Sequence, residues 1–107
     1  MTQISQPVLN NLIQQVIDLV HPLQIILFGS AAHGAMHQGS DIDLLIVMPD
    51  GTHRRRTAQS LYRAITNVRT PFDLIVTTPS ELQKHKNNKG LIYQSILSDG
   101  KSIYSVA

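Results

Sequence analysis

The chain has 107 residues, no cysteine, 42% hydrophobic residues and a formal net charge of +2, from nine Lys and Arg against seven Asp and Glu. That length suits one domain with a single core, and the missing cysteines exclude disulfides and thiolate metal sites. The charge imbalance is too small to identify a polycation that binds nucleic acid. The opening MTQISQPVLNNLIQQVIDLV has neither a charged leader nor an unbroken apolar core, and the longest apolar runs are of strand length, so a cytoplasmic protein without membrane spans is expected.

In chain order, Leu9, Leu12, Ile13, Val16, Ile17 and Val20 recur at steps of three and four, which predicts an amphipathic helix over 7–20 that His21-Pro22 ends. Residues 24–28 form a short apolar strand. Gly29 breaks it, and Ser30 can cap a short helix through Ala31 and Ala32 towards Met36, with Gly39 allowing the return. A second strand covers 41–48 and stops at the Pro49-Asp50-Gly51 turn. A helix over 52–68 places Ala58, Leu61, Ile65 and Val68 on one side, with Arg54, Arg55, Arg56 and Arg63 on the solvated side. A third strand covers 72–77. Thr78-Pro79-Ser80-Glu81 then carries a helix start with a capping box, and that helix stops by Gly90. One more helix over 91–97 and a final strand over 101–106, after the Asp99-Gly100 turn, complete an α/β domain: a small mixed β-sheet backed by helices.

The segment 25–47, IILFGSAAHGAMHQGSDIDLLIV, carries the chemistry. A small-residue turn, Gly29-Ser30, leaves one apolar strand, and after ten residues Asp41 and Asp43 open the next. Alternation along a strand points these two carboxylates the same way, about 6 to 7 Å apart. Like charges so placed call for a cation, and Mg²⁺ takes oxygen ligands from one or two carboxylates together with substrate phosphates. Asp73, near the start of an otherwise apolar third strand, is costly there unless paired or bound to metal. If that strand lies beside the second, the three carboxylates converge on one cleft. The five histidines have no consistent zinc spacing, Lys84, Lys86 and Lys89 read as solvated, and Tyr62, Tyr93 and Tyr104 read as core or interface residues.

In these residues the chain resembles the nucleotidyltransferases of the DNA polymerase beta superfamily, and most of all the minimal nucleotidyltransferase (MNT) antitoxins that accompany HEPN toxins. The resemblance rests on Gly29, Ser30, Asp41 and Asp43 with Asp73 at the later carboxylate position, and it extends over nearly the whole chain, including 91–104. It implies a polymerase beta-like fold in a single minimal nucleotidyltransferase domain over 1–107. It also implies Mg-dependent transfer of AMP from ATP to a hydroxyl, a tyrosine of a partner HEPN ribonuclease, which is thereby neutralised. Asp41 and Asp43 would hold two Mg²⁺ ions, and Asp73 would hold the ion beside the attacking hydroxyl and take its proton. Gly29 and Ser30 would hold the terminal phosphates of ATP. Two positions depart from the family pattern: where relatives often carry basic residues after the Gly-Ser pair, this chain has Ala31 and His33. The resemblance leaves two alternatives: an antitoxin that neutralises by binding alone, and a transferase acting on a small molecule of aminoglycoside type. At this length no acceptor domain is available, so the acceptor is expected on a partner protein; neither a membrane nor direct nucleic-acid binding is expected.

Overall fold

The computed structural model describes residues 6–29, 41–85 and 92–106. The chain begins with helix α1, Gln6–Val20. Leu12 and Val16 on its inner face are fully buried, with Val8, Leu9, Ile13, Ile17 and Val20 packed around them, as a three- and four-residue apolar repeat requires. His21 closes the helix in a left-handed conformation (φ 50°), its N–H still bonded to the Ile17 carbonyl at 2.9 Å. Pro22 follows, and a proline at that place cannot extend the helix.

Strand β1, Gln24–Phe28, pairs antiparallel with β2, Ile42–Val47, which in turn pairs parallel with β3, Phe72–Thr77. The chain ends in β4, Lys101–Ser105, antiparallel to β1 with a register shift between Ile25 and Ile26. The sheet order is therefore β3-β2-β1-β4. A parallel neighbour needs a crossover, which α2, Arg54–Ala64, provides. Helices α3, Pro79–His85, and α4, Ile92–Asp99, lie between β3 and β4 in the chain.

The sheet is covered on both faces. On one side Ile25, Leu27, Ile42, Leu44, Ile46, Leu74 and Val76 pack with Leu12 and Val16 of α1 and Leu61 of α2. On the other, Ile26, Leu45 and Val47 pack with Ile96 of α4, and Phe28, Ile75 and Leu82 join them. The central strand β2 is apolar on both sides for this reason, and its run Leu44 to Met48 is buried without a break. Among the described residues no helix is long and apolar enough to cross a membrane.

The expected mixed sheet with its helices is present, and strands 24–28 and 72–77 have the expected bounds. The helix expected over 52–68 is shorter. It begins at Arg54, capped by His53, whose Nδ1 accepts the Arg56 N–H at 3.1 Å, and it ends at Ile65 with ψ at 128°. Two competing bonds explain the early stop: the Gln15 amide of α1 donates to the Thr66 carbonyl at 2.7 Å and accepts the Thr66 N–H at 3.0 Å. Thr66 thus has its backbone partners outside any helix, and Asn67 takes a left-handed turn (φ 61°) that asparagine tolerates. Ile65 and Val68 still reach the core from this irregular segment. The helix start at Thr78 is as expected, since the Thr78 hydroxyl accepts the Glu81 N–H at 3.3 Å. Its continuation towards Gly90 and the short helix expected from Ser30 to Met36 lie outside the described residues.

Candidate active site

Register brings two of the expected acids together. In the parallel β2–β3 pair Asp43 is the direct partner of Asp73, and partners on adjacent strands project from the same face of the sheet. Both share the parity of Leu45, Val47 and Ile75, so they stand on the α4 side, at the end of the sheet where β2 and β3 begin. Asp41 lies just before β2 and is exposed, Asp43 is half-buried and Asp73 is exposed.

The electrostatics of Asp43 record this crowding. Burial raises its carboxyl above the ordinary carboxylate range, and the negative charges of Asp73 and then Asp41 raise it further. A carboxyl surrounded in this way takes a proton more readily than an isolated one, and a cation beside it would offset that shift. Among the described residues no three His, Asp or Glu side chains already surround a common ligating point. Asp43 and Asp73 are nonetheless direct strand partners on one edge of the sheet.

Gly29 closes the site from β1. It follows Phe28, the strand partner of Asp43, and turns with φ at 74°. A Cβ at this position would lie 2.5 Å from the Asp43 Oδ2, so the carboxylate occupies space that only glycine leaves open. The turn therefore has two reasons to be glycine: its backbone conformation and the acid lying against it. The donors on this edge are carboxylate oxygens, next to a turn that carries no side chain at Gly29. Such a donor set matches Mg²⁺ and disfavours softer metals that want sulfur or imidazole. Ser30, Ala31, His33 and His37 lie outside the described residues.

Other polar features sit elsewhere. A depression of about 460 Å³ lined by Thr52, His53, Arg54 and Arg55 opens beyond the opposite end of β2 and holds none of the three acids. Arg54, Arg55 and Arg56 are exposed as expected, with Arg54 3.6 Å from Glu81. Asp50 accepts the Ser80 N–H at 2.9 Å, and hydrogen bonds to Ser80 hold its carboxyl below the ordinary range. Of the tyrosines, Tyr104 packs against the core as expected, and the Tyr93 side chain lies outside the described residues. Tyr62 is not a core residue: 47% of its surface is exposed, and its hydroxyl accepts the Leu74 N–H at 2.7 Å. Sequence reasoning missed that role because nothing in the local pattern places residue 62 beside residue 74; the only available signal was that the two flank the turn into β3.

Comparison with known proteins gives this arrangement a family. A search of curated proteins found no significant match. Among solved structures, the chain is similar to a putative nucleotidyltransferase from Sulfolobus solfataricus, with a TM-score of 0.61 and 20% identity over 94% of this chain and 79% of that one. It is also similar to a toxin-antitoxin structure with AMP-PNP, with a TM-score of 0.58 and 25% identity over 91% of this chain and 73% of that one. A family model described as a nucleotidyltransferase domain matches residues 9–101, from the first turns of α1 to the start of β4. The chain, with its acids in register on two parallel strands, belongs to the nucleotidyltransferase domain family.

Proposed function

We propose that this protein is an adenylyltransferase antitoxin that moves AMP from ATP to a hydroxyl, a tyrosine of a cognate HEPN ribonuclease, and so neutralises it in the cytoplasm. The observation that carries the reading is the alignment of Asp43 with Asp73, with Asp41 close enough to perturb Asp43 and Gly29 opened against it. Family membership supports the transfer chemistry, and the likeness to a toxin-antitoxin structure with AMP-PNP supports both the nucleotide and the kind of partner.

Asp41, Asp43 and Asp73 are the residues that would hold two Mg²⁺ ions, which when bound supply charge stabilisation at the attacking and leaving oxygens. The backbone N–H of Gly29, a residue with no side chain in the way, and Ser30 after it in sequence would hold the terminal phosphate oxygens. Asp73, exposed near the start of β3, would orient the incoming hydroxyl and accept its proton. The acceptor oxygen forms a bond to the α-phosphorus, the bond from that phosphorus to the bridging oxygen breaks, and pyrophosphate leaves. Burial and the charges of Asp73 and Asp41 raise the Asp43 carboxyl above its ordinary range, so a cation beside these acids would favour its ionised form.

The test is incubation with labelled ATP, Mg²⁺ and the HEPN protein encoded beside it. Label is expected on the toxin. No label, or equal label after Asp41→Asn and Asp43→Asn together, overturns the reading. A second reading is an antitoxin that neutralises by covering its partner, since among the described residues no three His, Asp or Glu side chains form a ready metal site. Undiminished neutralisation by the variant with Asp41, Asp43 and Asp73 all changed to alanine selects it. Release of pyrophosphate with small hydroxylated acceptors alone would instead select a small-molecule transferase.

A further inference from the structure

Among the described residues β3 is an outer strand of the sheet, and the backbone groups on its other side have no strand neighbour there. The Pro71 carbonyl accepts the Ile42 N–H at 2.9 Å and the Thr77 carbonyl accepts the Met48 N–H at 2.8 Å, so odd-numbered residues turn their backbone groups towards β2. Leu74, by alternation, turns its N–H outward. That N–H is not left to solvent: Tyr62 of α2 reaches round the edge and takes it at 2.7 Å. The same ring lies over Phe72, with centroids 5.8 Å apart and planes 10° from parallel. One side chain therefore grips β3 at 72 and at 74, the two neighbours of Asp73. Its helix gives it a fixed base, because the adjacent Leu61 is fully buried.

We propose that Tyr62 is a positioning residue for the acidic cluster: by holding residues 72 and 74 from the open side of the sheet, it sets where the Asp73 carboxylate stands relative to Asp43. Its observed contacts are the Leu74 N–H and the Phe72 ring. It acts through the backbone of β3, as residues outside a ligand set tune its geometry. An outer strand held only on its inner side can sway at its first residues, and a swing there would move Asp73 most. This inference rests on the proposed cation-holding role of the acids.

The experiment is titration of the free protein with Mn²⁺, followed by electron paramagnetic resonance of the unbound ion, alongside exchange of the Leu74 amide hydrogen. Tyr62→Phe keeps the ring over Phe72 and removes only the hydroxyl. It is expected to speed Leu74 exchange and to weaken Mn²⁺ binding on the order of tenfold. Val16→Ala, in the core of α1 on the other face of the sheet, is the comparator for general loosening; it is expected to lower the melting temperature while leaving Mn²⁺ affinity unchanged. Equal affinity in wild type and Tyr62→Phe overturns the proposal. So does an equal loss in Tyr62→Phe and Val16→Ala, which would make the effect one of stability alone. Failure of the wild type itself to bind Mn²⁺ is a different result, removing the cation-holding reading and this inference with it.

Discussion

At position 29 a single hydrogen in place of a side chain serves two needs, a positive φ and room for Asp43. Gly29→Ala is expected to cost about 1–2 kcal/mol from the left-handed backbone alone. It should also push the Asp43 carboxylate aside, lowering nucleotidyl transfer on the order of 100-fold, the size associated with about 1 Å of misplacement. Chemical denaturation and a transfer assay separate the two effects; an alanine variant with full activity would mean that Asp43 does not need its observed place. Asp43 itself gives a pH signature in metal-free protein. Its folded carboxyl is raised by burial, Asp73 and Asp41, so the folded state keeps a proton that the unfolded chain releases. The stability linked to it is complete below the ordinary carboxylate range and is lost as pH rises through the raised value. Asp50 has the opposite sign, its contribution being present above the ordinary range and lost on acidification through its lowered value. Asp43→Asn should remove the first trend and keep the second, raising the metal-free melting temperature at neutral pH; superimposable pH profiles of variant and wild type would contradict this. Asp43 and Asp73 could be picked out from sequence because charges within apolar strands are conspicuous, and Asp41 because it stands two residues before Asp43. Tyr62 could not, because an aromatic residue on a helix reads the same whether it fills a core or props a neighbouring strand.

Among the elements, strands with apolar runs bounded by turns were legible nearly to the residue, as β1 and β3 illustrate. Helix α2 was overread at its C-terminus because periodicity continued through Ile65 and Val68, which do reach the core, but along a non-helical path. The deciding contacts, from Gln15 to Thr66, join residues 51 apart in sequence, where no local pattern can register them. One feature of β3 is unfavourable: Thr77 is fully buried, and its hydroxyl has no hydrogen-bond partner among the described residues. Valine has nearly the same shape without the hydroxyl, so Thr77→Val is expected to stabilise the protein by about 1 kcal/mol. Urea denaturation checks it, and a loss of stability would indicate an unseen partner for that hydroxyl.

For the molecule as a whole, the α/β class followed from alternating elements, while the strand order β3-β2-β1-β4 did not. From sequence the neighbourhood of β2 and β3 was a condition; their parallel pairing meets it and sets Asp43 beside Asp73. A ligand that binds only this assembled arrangement should stabilise the fold by mass action, roughly 1.4 kcal/mol at a tenfold excess over its dissociation constant. Mg²⁺ is therefore expected to raise the melting temperature of the wild type and to leave Asp43→Asn unchanged; an equal rise in both would place the ion elsewhere. The pairing of residues 43 and 73 also makes the acids a witness to alignment. Sliding β3 by one position along β2 would turn Asp73 towards α1 and α2 and bring an apolar side chain opposite Asp43. Under the proposed cation-holding role, a misthreaded copy of this chain would lack the means to clasp a divalent ion, and ion binding would certify a correctly assembled sheet.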